Sequence, residues 1–402
     1  MNRFYILCLL LVCTSPAIAS QDFASCTDQL FERARESGVS ESTLRRVQPQ
    51  IKELNRVLEL DKKQPEFVST FANYLTIRVS PTRIEKGREL LIKHDALLKR
   101  LTRQYGVPGQ YLVSFWGLET NFGGYMGKMS ALDALATLAC DPRRSRFFSA
   151  ELLAALHLID EHALDPSLME GSWAGAMGQT QFMPSTYRRY AVDGDGDGVI
   201  NLWASTPDAL ASAANFLQQL GWEAGLRWGR EVRLPKNFDW EQVGRKNKQP
   251  LDYWRERGVT RADGAPLPRA DVDAALIVPA GHAGPAFLVY HNFHVIMGWN
   301  RSESYAISVG HLADRINGGG DLLNPPDLSV KRIAKDRIKA MQARLNELGY
   351  DAGPADGIMG SGTRSALRAY QKSRGWIADG YADEKALDAL APAQTENQSS
   401  AE

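Results

Sequence analysis

The sequence predicts a mainly α protein, α+β in detail, built as an α-rich domain with a small β insert and followed by a small three-helix C-terminal domain. Three observations carry this. Apolar residues recur at helical spacing over most of residues 23–103 and again after residue 131. Short strand-like pieces, 231–234 and 275–278, are confined to a stretch of weaker helical periodicity at residues 222–279. Asn317-Gly318-Gly319-Gly320 and Asn324-Pro325-Pro326 mark a linker, so the chain divides into residues 21–318, a linker at 319–334 and a second domain at 335–392.

Residues 1–20 read as a signal peptide: Arg3, an apolar run at 4–12, then Pro16 and the small-residue pattern Ala17-Ile18-Ala19. The run is too short to span a bilayer, and no later stretch approaches about 20 consecutive apolar residues. An exported, soluble chain without a membrane anchor is expected; Cys13 inside the apolar run and Cys26 beyond the cut are both misplaced for lipid attachment. The 47 basic and 47 acidic residues balance, so bulk electrostatics offers no argument for nucleic acid. Loss of Cys8 and Cys13 with the signal leaves Cys26 and Cys140 as an even pair in an oxidising compartment. They are read as a disulfide closing a loop of 114 positions, with two buried free thiols as the alternative.

In the framework helices Leu30, Phe31 and Ala34 share one side, as do Ile84, Leu90, Leu91, Leu97 and Leu98 further on. Tyr74 and Arg83 fall in this region and are assigned to core or surface. Pro108 suits a helix start, where its missing N–H is not needed. The helix it opens contains Phe115-Trp116-Gly117-Leu118-Glu119-Thr120-Asn121-Phe122-Gly123. Stepping back from Glu119 by helical spacings meets Trp116, Phe115 and Leu112, so the carboxylate projects from an apolar face. Burial disfavours ionisation and raises a carboxyl pKa, as a general acid near neutral pH requires. A capped or paired surface Glu at a helix end is the other reading of this stretch alone.

An apolar helix at 131–139 comes next, and then Cys140-Asp141-Pro142-Arg143-Arg144, where Asp141 and Pro142 are good helix-start residues. Arg143 and Arg144 are either a bidentate clamp for an anionic sugar or two solvated arginines. In residues 171–185 small residues alternate with Trp173, Met177 and Phe182, and Gln179 and Gln181 stand among them. Glycine admits close backbone approach and amides both donate and accept, as sugar hydroxyls require; the run reads as one wall of a groove, or as a close-packed turn between helices.

Asp193-Gly194-Asp195-Gly196-Asp197-Gly198-Val199 places carboxylates at positions 1, 3 and 5 of an EF-hand-type loop, with glycine at 6. Calcium in a structural role is the expected ion, held by Asp193, Asp195, Asp197 and the backbone carbonyl of Val199, with a metal-free Asp/Gly turn as the alternative. Position 12 is Ala204 where a bidentate Glu would stand, so Asp208 is the candidate to complete the site. His291 and His294 lack the HExxH pattern and a third ligand, and are taken as structural. The second domain shows helices at 338–348, 361–371 and 383–390, with no plausible catalytic set; the tail at 393–402 is polar and read as disordered.

The glutamate stretch, residues 171–185 and residues 299–305 together resemble the lytic murein transglycosylase B family, in its membrane-unanchored branch. The resemblance covers residues 23–318, with the three motifs in the family's order. It implies a lysozyme-like α-rich core acting on peptidoglycan glycan strands in the periplasm, with no cofactor for catalysis. Glu119 matches the family's acid/base in Glu-Thr-Asn-Phe-Gly. Ser172, Gln181, Phe182, Asn300 and Tyr305 match groove residues, Arg143 and Arg144 its Asp-Pro-Arg-Arg, and the Asp193 loop its calcium loop, from which Ala204 departs. Residues 335–391 resemble the peptidoglycan-binding domain-1 family through Asp356-Gly357-Ile358-Met359-Gly360 and Thr363, which implies tethering to an insoluble substrate. Other wall enzymes are conceivable partners, and a monomer is expected.

Glycoside hydrolases generally use two carboxylates, and the nearest other one, Asp133, sits in ordinary helix and receives no catalytic role. One carboxylate suffices if the MurNAc C6 hydroxyl attacks its own C1, because the nucleophile is already in the substrate. The expected reaction is therefore non-hydrolytic cleavage between MurNAc and GlcNAc to a 1,6-anhydro end. A hydrolytic muramidase and a non-catalytic wall-binding protein are the rivals.

Overall fold

The computed structural model describes residues 23–63, 69–162 and 164–392; the expected signal peptide at 1–20 and the tail at 393–402 lie outside the described residues. Helices dominate, as the sequence predicts, and many are opened by a hydroxyl that takes up an orphan N–H of the first turn. Ser40, Thr70, Ser80, Ser130, Ser205 and Ser302 each accept a backbone N–H three residues on.

Two large cores meet in the N-terminal part of the chain. One packs Phe23–Glu36, Ala131–Ala139 and Ser145–His162 around Phe31, Leu135, Leu152 and Met177. The other packs Pro81–Lys93, Asp95–Tyr105, Gly109–Thr120, Thr206–Gln219 and Glu303–Ile316 around Leu112, Phe115, Leu210 and Leu312. Half-buried Trp299 touches both, which places it on the seam. A disulfide joins Cys26 to Cys140, tying the first helix to the end of Ala131–Ala139.

The β insert is a five-stranded antiparallel sheet in the order Lys248–Pro250, Asp273–Ile277, Ala286–Val289, Gly229–Arg233, Thr260–Arg261. It extends past the sequence-based limit of residue 279. Ala286–Val289 is buried at every position, so its run Ala286-Phe287-Leu288-Val289 lacks the alternation that marks a half-exposed strand.

The C-terminal helices Lys335–Glu347, Ser361–Ser373 and Glu384–Leu390 enclose their own core around Met341, Leu345, Leu367 and Leu387. This unit rests against the insert: Asp379 Oδ2 accepts the His282 N–H at 2.8 Å and lies 2.8 Å from His282 Nδ1. Glu231 takes the backbone N–H groups of Leu323 and Asn324 at 2.8 and 2.7 Å, pinning the start of the linker to the sheet. No helix among the described residues is long and apolar enough to cross a membrane.

Candidate active site

Within Gly109–Thr120 every residue is buried except Gln110 and Glu119, which are half-buried. Pro108 sits just ahead of the helix as its cap rather than inside it. The helix ends abruptly: Asn121 at φ +51° and Phe122 at φ +61° turn the chain, with N–H bonds to Gly117 O and Trp116 O at 3.1 Å. The Phe122 ring folds back over Gly117, where a Cβ would come within 2.7 Å of it, so this glycine makes the turn possible.

Two donors converge on one oxygen of Glu119. Trp299 Nε1–H reaches Oε1 at 3.0 Å, and the Tyr305 hydroxyl donates to the same atom. Trp299 closes the helix His291–Trp299 and stacks on Phe115, Phe182 and Phe216 at centroid distances of 4.5, 5.4 and 5.2 Å. Tyr305 lies in the first turn of Glu303–Ile316, under the Ser302 cap. Burial first, then the neighbouring Glu119 charge, raises the Tyr305 hydroxyl well above the ordinary tyrosine range, so it remains a donor.

A narrow antiparallel ribbon forms the adjoining wall: Met129–Ser130 pairs with Glu170–Gly171, Gly171 with Met177, and Met177 with Phe182. Ser172 Oγ accepts the N–H groups of Ala174 and Ala176 at 3.4 and 3.1 Å, leaving its own hydrogen to donate. Gln181, at φ +51°, donates its amide to Met126 O and Gly178 O at 3.0 and 3.1 Å, tying the ribbon to the segment that follows the Glu119 turn. Phe182 is buried behind Trp299, and so supports the site from the core side. Asn300 Oδ1 accepts the Ser302 N–H at 3.1 Å, which leaves its NH2 to donate.

Arg143 and Arg144 both reach the carboxylate of Asp61 at 2.9 Å, and Arg143 also pairs with Asp141. Asp61 is 2% exposed, and a buried carboxylate requires such partners; a separation of 82 residues hid this pairing from the sequence. Asp208 stands outside the group formed by Asp193, Asp195 and Asp197, whose carboxylate oxygens lie within 4.8 Å of one another. It accepts Gly194 N–H and Asn201 N–H at 2.7 Å each, shaping the loop from behind. The three clustered carboxylates supply the hard oxygen donors calcium favours, and Ala204 contributes only a backbone N–H to Asn201 Oδ1.

Asp133 accepts the Lys52 N–H at 3.0 Å, a framework role. Arg83 donates to the carbonyls of Ile77 and Arg78 at a helix end. His291 Nε2 lies 2.9 Å from Gly221 O, and burial lowers His294 to about 4. Sequence reasoning missed Trp299 as a donor to Glu119, because 180 residues separate the two and a Trp beside an Asn carries no directional signal.

Residues 22–314 match the family described as the transglycosylase SLT domain. The chain belongs to that family. Residues 334–390 match a second one, described as a peptidoglycan binding domain. Among curated relatives, membrane-bound lytic murein transglycosylase B of Escherichia coli is 33% identical over 294 residues, covering 69% of this chain and 79% of that protein. Among solved structures, SltB3 of Pseudomonas aeruginosa in complex with NAG-anhNAM-pentapeptide superposes with a TM-score of 0.88 at 42% identity, over 92% of this chain and 99% of that one. The E. coli lytic transglycosylase Slt35 in complex with calcium gives a TM-score of 0.62 at 32% identity, over 73% and 92%. The α-rich core of this transglycosylase SLT domain is lysozyme-like in build.

Proposed function

We propose that the chain is a peptidoglycan lytic transglycosylase that cleaves the β-1,4 bond between MurNAc and GlcNAc and leaves a 1,6-anhydroMurNAc end. The observation that carries this is the convergence of Trp299 and Tyr305 on Glu119 Oε1. An oxygen that already receives two donor hydrogens is the poorer place for an acidic proton, so Oε2 is assigned the proton in the acid form. Glu119 gives that proton to the glycosidic oxygen as the C1–O bond breaks. The resulting carboxylate, stabilised by the two donors, then takes the proton of the MurNAc C6 hydroxyl as O6 bonds to C1. No water enters, and the intramolecular nucleophile replaces a second carboxylate. Ser172 and Asn300 are assigned to the N-acetyl group and to the developing positive ring.

Residues 21–318 are read as the catalytic domain, 335–392 as a tether that raises local concentration on the wall, and 319–334 as the linker between them, in a periplasmic protein released from its signal peptide. A structural calcium ion is proposed among Asp193, Asp195, Asp197 and the Val199 carbonyl; millimolar calcium should raise the melting temperature, and no change would refute it. The decisive experiment is the mass of muropeptides released from purified sacculi. Anhydro products, lost in Glu119→Gln while sacculus binding persists, are expected; reducing ends heavier by one water would overturn the proposal.

A further inference from the structure

The turn after Glu119 is costly. Asn121 and Phe122 carry side chains in the left-handed region, and Gly123 follows at φ +77°, so three successive residues need outside support. Thr120 provides it. Its Oγ1 accepts the Gly123 N–H at 2.9 Å and donates to the backbone carbonyl of Gln179 at 2.7 Å; the residue is 2% exposed. One hydroxyl thus closes the turn and fastens it to another segment.

Gln179 is itself fixed. Its N–H donates to Leu202 O at 2.8 Å, its Nε2 to Trp203 O at 3.2 Å, and its Oε1 accepts from the Thr206 hydroxyl at 3.4 Å. The amide expected to face sugar hydroxyls is turned inward, and it abuts the turn: a Cβ on Gly123 would lie 3.1 Å from Gln179 Oε1. Leu202 and Trp203 leave the Asp193 loop, which Asp208 holds through Gly194 and Asn201. A rigid path of hydrogen bonds therefore runs from that loop to the residue next to Glu119.

We infer that Thr120 and Gln179 are positioning residues, which together fix the direction in which Glu119 presents its carboxyl to the glycosidic oxygen. Neither touches substrate. The inference rests on the reading of Glu119 as acid and base. It requires that their loss slow the chemical step and spare binding, because misplacing a reacting group by about 1 Å costs roughly 100-fold in rate.

Thr120→Val is nearly isosteric and removes both bonds. It should lower kcat by about 10- to 100-fold on soluble glycan fragments while KM stays within about 2-fold, and Thr120→Ser should recover most of the loss. Gln179→Ala should lower kcat by about 5- to 30-fold, and the double variant should be no worse than about 3-fold below Thr120→Val, because the two act as one unit. Circular dichroism checks that each variant is folded; if Thr120→Val is not, Gln179→Ala decides alone. A folded variant with unchanged kcat, a loss confined to KM, or strictly additive effects would overturn the inference. Absence of anhydro product from the unmutated chain would overturn the reading of Glu119, and this inference with it.

Discussion

Trp299 donates its indole N–H to Glu119 Oε1 at 3.0 Å while its ring stands on the seam of two cores, stacked on Phe115, Phe182 and Phe216. The two roles separate by substitution. Trp299→Phe keeps most of the stack and loses the donor, so kcat should fall by about 10- to 100-fold with little change in stability, as expected for one hydrogen bond to a charged group. Trp299→Ala should add a loss of about 3–5 kcal/mol in urea unfolding from the vacated core. Unchanged turnover in Trp299→Phe would leave the indole only a packing role.

Removing the Cys26–Cys140 bridge should cost stability and spare chemistry. The bond closes a loop of 114 residues, for which chain entropy gives about 4–5 kcal/mol. Cys26→Ser/Cys140→Ser should therefore unfold at lower denaturant than the oxidised chain, with kcat at temperatures below its transition unaltered. A double variant with the parental denaturation midpoint would show that the bridge closes nothing the fold does not already hold.

What the sequence made legible follows a physical rule. Periodicity found the helices because each presents a continuous apolar side to a core; the hydroxyl caps at Ser130 and Ser205 that fix two of the starts came to light only in the structure. Resemblance located Glu119 and Tyr305 through local motifs, but their hydrogen bond joins residues 186 positions apart and no local pattern encodes it. The partners of Arg143, Arg144 and Asp208 stayed hidden for the same reason: no local pattern shows Asp61 beside the two arginines, or the Gly194 and Asn201 N–H groups on the Asp208 carboxylate. The fully buried strand Ala286–Val289 was indistinct because it lacks alternation.

Acid should weaken the fold before it protonates ordinary surface carboxylates. His311 is 7% exposed, and burial, helped by nearby Arg315, lowers it to about 4, against 6.5 in the unfolded chain. Between those values the unfolded state binds more protons, so stability is complete above pH 6.5 and declines as pH falls toward 4, by on the order of 3 kcal/mol for this residue. His294, also lowered to about 4, acts in the same direction. His311→Gln should flatten part of the slope of unfolding free energy against pH in this window; an unchanged slope would refute the assignment.

The contact between His282 and Asp379 should govern how firmly the C-terminal domain rests on the β insert. Asp379 is 3% exposed at its side chain, and its other oxygen is occupied within its own domain by Gln371 Nε2 at 3.2 Å and Tyr381 N–H at 2.8 Å, so the carboxylate is aimed before it meets His282. His282→Ala removes the ring contact without disturbing that internal set, while the backbone N–H remains. Asp379→Ala removes both bonds and the internal ones. Tight packing of Tyr381 against Gly281, where a Cβ would come within 2.8 Å of the ring, and the pinning of Leu323 and Asn324 by Glu231 add to the dock. Single changes should therefore loosen the arrangement partially, and His282→Ala combined with Glu231→Ala should release it. The expected signs are a larger radius of gyration by small-angle scattering and faster tryptic cleavage after Lys331 and Arg332, both exposed in the linker, with turnover of short soluble glycans unchanged. Equal cleavage rates in the double variant and the parent would mean that other contacts hold the domain in place.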